Sequence, residues 1–397
     1  MYTHTNTICN HLLQFLEHHH IDSVFGQHKD SDKYAKKFNT WSTFLSLLLA
    51  QILQVDSIRW LETILETQRN KLYHLWIKTF HRSTFSDRVN KVDPMIFQSL
   101  FFHLVSQVKT LLGQHPKILK SKVYAIDSTL ISLTLSVFNR AYYRKKKGAV
   151  KVHTRMDVDL WIPDLAIITE WKKADSPLWE KLIEWLESWS IVVIDRWYLD
   201  YSLLSLIEEK RLSFVSRTKS STQYYSIQEI AISHPQVQYD CIVEFVYPKA
   251  HSTYSWPLRV IRRLHNDEKT WETKLLEFIT NNIELPAQDI AMIYKMRREI
   301  ELLFKRLKQN CVIKAFLWTS QKAVENQIWV ALCYYLLLVL IKHTTQTKHT
   351  LLTLTRKIAT LIFERVAFIY VLWSISHEKL LQAAHSPPHN NLFSYSC

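Results

Sequence analysis

Glycine is nearly absent from this chain: Gly26, Gly113 and Gly148 are the three it has among 397 residues. Each stands alone, so neither a phosphate-cradling loop nor a dinucleotide-binding turn can be written, which disfavours nucleotide-driven chemistry. Cysteine is sparse as well. Cys9, Cys241, Cys311, Cys333 and Cys397 show no paired spacing, which argues against a zinc site or a disulfide framework and fits a reducing cytoplasm. The N-terminus lacks a basic-then-apolar pattern, so secretion is not indicated. Long apolar runs are missing too: the longest, Ile328 to Ile341, is short for a bilayer span and reads as a buried helix, with no membrane partner expected. Acidic residues are in deficit. Lys and Arg number 50 against 36 Asp and Glu, a formal net charge of +14, which points to a polyanionic partner or, in the plainer reading, to an ordinary basic protein.

What is present is enough for a large core in more than one structural unit, with 47% hydrophobic and 22% charged residues. Up to about Lys120 the pattern is helical, with stripes at Phe44, Leu47, Leu48, Gln51, Ile52, Val55 and at Ile58, Leu61, Ile64, Leu65. A third helix is expected over Pro94–Leu112. Between lies the polar and basic segment His81–Arg88, read as a turn before a helix start, in a unit that could equally read DNA or be a plain helical bundle.

At Lys122 the period changes. Val123–Ile126 reads as a buried strand followed by Asp127, and Ala149–Val158 and Leu160–Thr169 as further strands after a turn at Arg144–Gly148. A helix is expected over Ser176–Trp189, a strand over Ser190–Ile194 ending on Asp195, a helix over Tyr198–Lys210 and a strand over Leu212–Thr218. Three strands, helix, strand, helix, strand is the order of a ribonuclease-H-like core, an α/β fold. That core lacks a closing helix at Thr218, because residues 219–285 are β-rich and a helical pattern resumes after Pro286. The expected organisation is a helical N-terminal DNA-binding domain (1–120), the first part of the core (121–218), a β-rich insertion (219–285), the closing helix (286–318) and a helical C-terminal region (319–397). Its clearest segments are Gln321–His343 and Arg356–Ser376, and the tail around Pro387 and Pro388 is expected to fray.

The segment Tyr294–Lys308 reads YKMRREIELLFKRLK. On a continuous helix Tyr294, Arg297, Glu301 and Lys308 fall within about 60° of one another, beside an apolar arc that can pack on the core. In a ribonuclease-H-like sheet the first and fourth strands are neighbours and the last helix crosses their ends. Asp127, Asp195 and Glu301 would therefore converge. Three carboxylates at one point repel unless a divalent cation sits among them. Two Mg²⁺ ions about 4 Å apart could activate a hydroxyl and stabilise the leaving oxygen in phosphodiester displacement. Singly, each carboxylate has a plainer reading: the aspartates as turn or cap residues, Glu301 as the partner of Lys305 four residues on. Lys151 and His153 alternate onto one face of a strand with Arg155 beyond, as a solvated basic edge or as phosphate contacts.

Tyr294, Arg297, Glu301 and Lys308 match without a gap the Tyr-x2-Arg-x3-Glu-x6-Lys signature of the insertion-sequence-4 family of bacterial DDE transposases, which this chain resembles. The resemblance extends to Phe38-Asn39-Thr40-Trp41, Asp127-Ser128-Thr129, Lys151-Val152-His153, Asp195-Arg196-Trp197-Tyr198, Phe278-Ile279-Thr280-Asn281 and Asn326-Gln327-Ile328-Trp329. It implies cut-and-paste transposition in the bacterial cytoplasm, at the nucleoid. The chain would bind double-stranded DNA at terminal inverted repeats and at the target, as a homodimer in the DNA complex. Some relatives free their ends through a hairpin. Carried over by position, Asp127, Asp195 and Glu301 hold two Mg²⁺ or Mn²⁺ ions, while Tyr294, Arg297, Lys308, Lys151, His153 and Arg196 contact DNA. One departure stands out: relatives commonly carry Trp after the signature Arg, where this chain has Arg298. A ribonuclease-H-like nuclease without strand transfer and an inactive, domesticated DNA-binding descendant are the competing readings.

Overall fold

The computed structural model describes residues 7–16, 18–33, 35, 38–72, 80–113, 119–132, 149–170, 178–219, 221–246, 254, 256–266, 272–310 and 320–366. The expected turn at Arg144–Gly148, the start of the Ser176 helix, the second half of the Arg356–Ser376 helix and the Pro387-Pro388 tail lie outside them.

Among the described residues seven α-helices come first: α1 (Ile8–Leu13), α2 (His18–Gln27), α3 (Thr40–Ile52), α4 (Ile58–Thr67), α5 (Arg69–Leu72), α6 (Arg82–Lys91) and α7 (Pro94–Leu112). Their starts follow capping chemistry. Asn39, Ser57 and Asp93 accept backbone N–H groups of the first turn, and Pro94 takes the first position of α7, where no N–H is needed. The segment expected as a polar turn is itself helix α6. Phe85 and Val89, four residues apart, are buried on one face, where the Phe85 ring packs on Phe38 and Phe80, and Arg88 bonds Asp32.

The strands are β1 (Val123–Ser132), β2 (Ala149–Asp157), β3 (Ile162–Glu170), β4 (Ile191–Ile194), β5 (Ser213–Arg217), β6 (Tyr224–Glu229), β7 (Val237–Phe245), β8 (Leu258–Asn266) and β9 (Thr273–Thr280). They form one mixed sheet in the order β3-β2-β1-β4-β5-β9-β8-β7-β6. β1, β4 and β5 are parallel and every other pairing is antiparallel. Strands β6–β9 therefore continue the sheet outward from β5. The joint between β5 and β9 is held by Thr280 and Asn281: the Thr280 hydroxyl donates to the Phe214 carbonyl (2.5 Å), and the Asn281 side-chain Oδ1 accepts the Phe214 N–H (2.8 Å).

Between β3 and β4 lies α8 (Trp179–Ile183), much shorter than the expected helix. Arg155 accounts for where it stops. Its Nη1 donates to the carbonyls of Leu182 and Glu184, both at 2.9 Å, drawing on oxygens that a longer helix would use itself. Beyond it Trp185 and Trp189 take left-handed backbone conformations (φ 62° and 70°). After a short turn comes α9 (Tyr201–Glu209), capped by Asp200.

Helices α10 (Ala287–Met296), α11 (Arg298–Asn310), α12 (Gln321–Thr344) and α13 (Leu351–Leu361) complete the described chain. The continuous helix expected through Tyr294–Lys308 is broken into α10 and α11 at Arg297. There the N–H of Arg297 bonds the Tyr294 carbonyl and the N–H of Ile300 bonds the Arg297 carbonyl, at 3.1 and 3.2 Å. Such three-residue bonds tighten the winding and re-aim the side chains that follow.

The core lies on both faces of the sheet. One face packs against α8 and α9 through Leu182, Ile194, Leu203, Ile207 and Phe214. The other carries the larger cluster, in which α12 packs on α3, α6, α7 and α11, and to which α10 contributes Ile290 and Ile293. Helices α7 and α12 are long and apolar enough to cross a membrane by length and composition, but α12 is almost wholly buried inside the protein. The buried Asn326 fixes its register, donating to the carbonyls of Val89 and Val92 at 3.0 and 3.1 Å. Those carbonyls end α6, so one amide ties the start of α12 to the N-terminal helices.

Candidate active site

Parallel pairing of β1 with β4 places Ile126 opposite Ile194. The next residue on each chain, Asp127 and Asp195, therefore lies at the same end of adjacent strands. Asp127 is still within β1, which runs on to Ser132 along β2, whereas Asp195 leaves the sheet and caps the tight turn Arg196–Tyr198 by accepting the Trp197 N–H at 3.0 Å. The third carboxylate arrives from α11. Arg297, at the break between α10 and α11, draws all three together: its Nη1 lies 3.2 Å from Asp127 Oδ2 and 3.4 Å from Asp195 Oδ2, and its Nη2 bonds Glu301 Oε1.

The Arg297, Asp127 and Asp195 side chains are mostly buried, whereas that of Glu301 is half exposed. Burial raises the Asp127 pKa to about 6; the Ser128 N–H and Arg297 oppose the rise, and Asp195 and Glu301 add to it. For Arg297 burial works against the charge. Tyr294 and the three carboxylates more than offset it, holding the pKa above the ordinary arginine value. Lys308 is pulled the other way, its pKa lowered by burial and only partly restored by the charge of Asp127.

Tyr294 closes the site from α10. Its ring packs on Phe278 of β9 (5.4 Å between centroids), and the Arg297 guanidinium lies 5.9 Å from its centre. A buried ion pair holds that helix in place. Arg259 of β8 meets Asp240 of β7 through two 2.7 Å bonds, and its Nη1 reaches the carbonyls of Ile283 and Leu285 in the loop leading to α10.

The other expected DNA contacts stand apart. Residues directly opposite in an antiparallel pair share a face, and the register sets Ser128 against His153 and Asp127 against Thr154. Lys151, His153 and Arg155 therefore lie on the face opposite to Asp127. His153 is 2% exposed, with Nε2 3.1 Å from the Thr169 hydroxyl, so it offers no surface to a phosphate. Arg155 is buried on Asp164. Arg196 is exposed beside Asp195, with its guanidinium 5.5 Å from the ring centre of Trp197. Sequence reasoning missed Tyr198, whose hydroxyl reaches the Asp127 carboxylate at 3.5 Å and bonds Ser128.

Among the described residues no three His, Cys, Asp or Glu side chains are already arranged to hold a metal ion. Asp127, Asp195 and Glu301 instead share a guanidinium, which stands in for a cation. Their oxygens are the hard donors that a divalent ion takes, so the residue types fit one in the place of the guanidinium.

Residues 119–337 match the Transposase DDE domain family, and residues 4–78 match a domain of unknown function (DUF4372). The chain is 29% identical over 250 residues to "Putative transposase y4zB" of Sinorhizobium fredii, covering 60% of this chain and 66%, just under two thirds, of that protein. It is 22% identical over 322 residues to "Putative transposase for insertion sequence element IS4SA" of Synechocystis, covering 79% of this chain and 89% of that one. A cryo-EM structure of the piggyBac transposase synaptic complex with hairpin DNA aligns with a TM-score of 0.44 at 13% identity, over 88% of this chain and 76% of that one. The family match covers more than half of the chain and contains all three converging carboxylates, and on that ground the protein belongs to the Transposase DDE domain family.

Proposed function

We propose that this protein is a transposase of the insertion-sequence-4 type, which binds the terminal inverted repeats of a mobile element and catalyses metal-dependent DNA cleavage and strand transfer. The observation that carries the reading is the meeting of Asp127, Asp195 and Glu301, from three separate elements, on one guanidinium. Nothing in the packing of a core requires three carboxylates at one point; a site that handles cations and phosphates does. The strand order β3-β2-β1-β4-β5, with β2 antiparallel to β1, supports a ribonuclease-H-like core. Residues 219–285 are then an insertion that widens the sheet, and residues 1–120 a helical domain available for DNA.

Asp127, Asp195 and Glu301 would hold divalent metal, Mg²⁺ or Mn²⁺, as a pair of ions. When bound, such ions supply positive charge to the scissile phosphate and lower the pKa of an attacking hydroxyl. The protein's own groups do the holding. Arg297, released from the carboxylates, presents a planar fork to a phosphate, Lys308 adds a compact charge two turns beyond Glu301, and Tyr294 contributes a half-buried phenol. The net charge of +14 suits DNA as partner. A homodimer that joins two element ends completes the reading.

The test is incubation of the purified protein with Mg²⁺ and DNA carrying the element's own ends. Cleavage at those ends is expected, and it should disappear in Asp127→Ala and in Glu301→Ala. Cleavage that survives both substitutions overturns the site. Hairpin ends on a denaturing gel would identify the release route, and cleavage without joining to a target would favour a nuclease over a transposase.

A further inference from the structure

Tyr198 has no part in the chemistry proposed above, yet its hydroxyl lies at the carboxylate centre. It closes the turn that Asp195 caps, its N–H donating to the Asp195 carbonyl at 2.9 Å. From there its side chain crosses to β1, where Oη shares a hydrogen bond with Ser128 Oγ and lies 3.5 Å from Asp127 Oδ1. The same Oδ1 accepts the Ser128 N–H at 2.7 Å. Asp127 Oδ2 is the oxygen that faces the cation, with Arg297 Nη1 at 3.2 Å. The two oxygens of Asp127 are thus divided: one is held by a backbone amide and a hydroxyl, the other is presented to positive charge.

An aspartate does not orient itself, because rotation about its terminal bond has broad minima. A carboxylate that must present one chosen oxygen needs the other one fixed. Tyr198 is well placed to do that. Its ring packs edge-on against Trp179 of α8, 4.9 Å between centroids and 78° between planes, and Trp179 is itself buried. The hydroxyl is therefore aimed from below by packing and from the side by the Asp195 turn. Since that turn carries the second aspartate, the Tyr198–Ser128 bond also ties the end of β4 to β1 at the point where the two carboxylates must keep their spacing. This tie does not involve Arg297, so it persists when the guanidinium leaves.

We propose that Tyr198, through its hydrogen bond to Ser128, is a positioning residue that fixes the orientation of Asp127 and its spacing from Asp195, and so sets the affinity of the site for divalent metal. The inference rests on the reading of Asp127 as a metal ligand. Groups that orient metal ligands from behind are typically worth about tenfold or more in metal affinity.

The test is Mn²⁺ binding to the full-length chain without DNA, followed by loss of the free-ion electron paramagnetic resonance signal, in the wild type and in Asp127→Asn, Tyr198→Phe, Ser128→Ala and the Tyr198→Phe/Ser128→Ala double variant. Phenylalanine keeps the ring on Trp179 and removes only the hydroxyl. Asp127→Asn should lose tight binding. Tyr198→Phe and Ser128→Ala should each weaken it about tenfold, and the double variant should bind no more weakly than the weaker single one, because both changes break the same bond. A Tyr198→Phe protein with a lowered thermal midpoint and wild-type Mn²⁺ affinity would have a structural role alone, which overturns the proposal. Losses that multiply in the double variant overturn the link between the two hydroxyls. If Tyr198→Phe does not fold, Ser128→Ala decides the matter by the same criterion. Wild-type affinity in Asp127→Asn as well overturns the metal reading itself, an outcome distinct from failure at Tyr198 alone.

Discussion

Arg297 and Asp127, 170 residues apart in sequence, meet where β4 ends beside β1, inside the sheet, with Nη1 3.2 Å from Oδ2. The same guanidinium also bonds Asp195 and Glu301, so a single cation holds off the mutual repulsion of three carboxylates. Replacing it by a neutral side chain leaves that repulsion in place. In a chelating buffer Arg297→Gln should be less stable than the wild type by about 1–3 kcal/mol, less than for a fully buried pair because Glu301 is half exposed. Millimolar Mg²⁺ should recover more of the thermal midpoint in the variant than in the wild type, since the ion takes over the role of the guanidinium. Thermal unfolding with and without Mg²⁺ measures both, and equal midpoints in the chelator would refute the account.

Asp127 makes stability depend on pH in the direction opposite to an ordinary salt-bridged carboxylate. Burial raises its folded pKa from 3.8 to about 6, so the native state binds more protons than the unfolded chain between those values. Its contribution is fully present below about pH 4 and is lost as pH rises through about 6, a change of about 2–3 kcal/mol. Without metal, Asp127→Asn should therefore match or exceed the wild type in stability at pH 7.5, and the difference should close below pH 4. Urea unfolding from pH 4 to 8 in a chelator tests this. A variant less stable than the wild type at pH 7.5 would show that the ionised carboxylate is net favourable.

Asp164 of β3 is the buried acceptor of an entirely structural network. Its side chain is 1% exposed and takes bonds from Arg155 Nε (2.8 Å), Arg155 Nη2 (3.1 Å) and Lys109 Nζ (2.9 Å). Removing one member strands the Arg155 charge inside the protein, so Asp164→Ala should cost about 3–5 kcal/mol by urea denaturation. Replacing Arg155 and Asp164 together by apolar residues of similar volume should cost much less, because the one charge that loses its partner, Lys109, has a side chain 39% exposed and can turn to solvent.

This network also marks how far the sequence could be read. Alternation identifies β2 and places Lys151, His153 and Arg155 on one face, but a period of two cannot tell which face lies toward the carboxylates. The register against β1 decides it. The order of strands and helices from Val123 to Arg217 was readable because each strand is a short apolar run bounded by turn residues. Asp127 and Asp195 followed from that order as strand-end residues, and Glu301 from the helical pattern of Tyr294–Lys308. The break at Arg297 was not readable, since neither Gly nor Pro marks it; it falls at the residue whose guanidinium meets the three carboxylates. Nor could the Tyr198–Ser128 bond be anticipated, because it joins hydroxyls 70 residues apart, and no local pattern encodes such a meeting.

Lys308 offers a test of DNA contact that does not depend on cleavage. It stands on α11 two turns beyond Glu301, its pKa lowered by burial and partly restored by Asp127. An amine half-buried there, with no hydrogen bond or ion pair among the described residues, is one that a phosphate would stabilise. If Lys308 contacts one DNA phosphate, Lys308→Ala should weaken binding to all duplexes by a similar factor and reduce the slope of log K against log salt by about 0.9. The slope carries the prediction, because loss of affinity alone could follow from a disturbed helix, whereas a smaller slope counts a lost phosphate contact. Lys151→Ala, on the opposite face of the sheet, serves as the comparison and should leave the slope unchanged. Fluorescence anisotropy titrations of a labelled element end at several salt concentrations measure both variants, and equal slopes for Lys308→Ala and the wild type would remove Lys308 from the DNA interface.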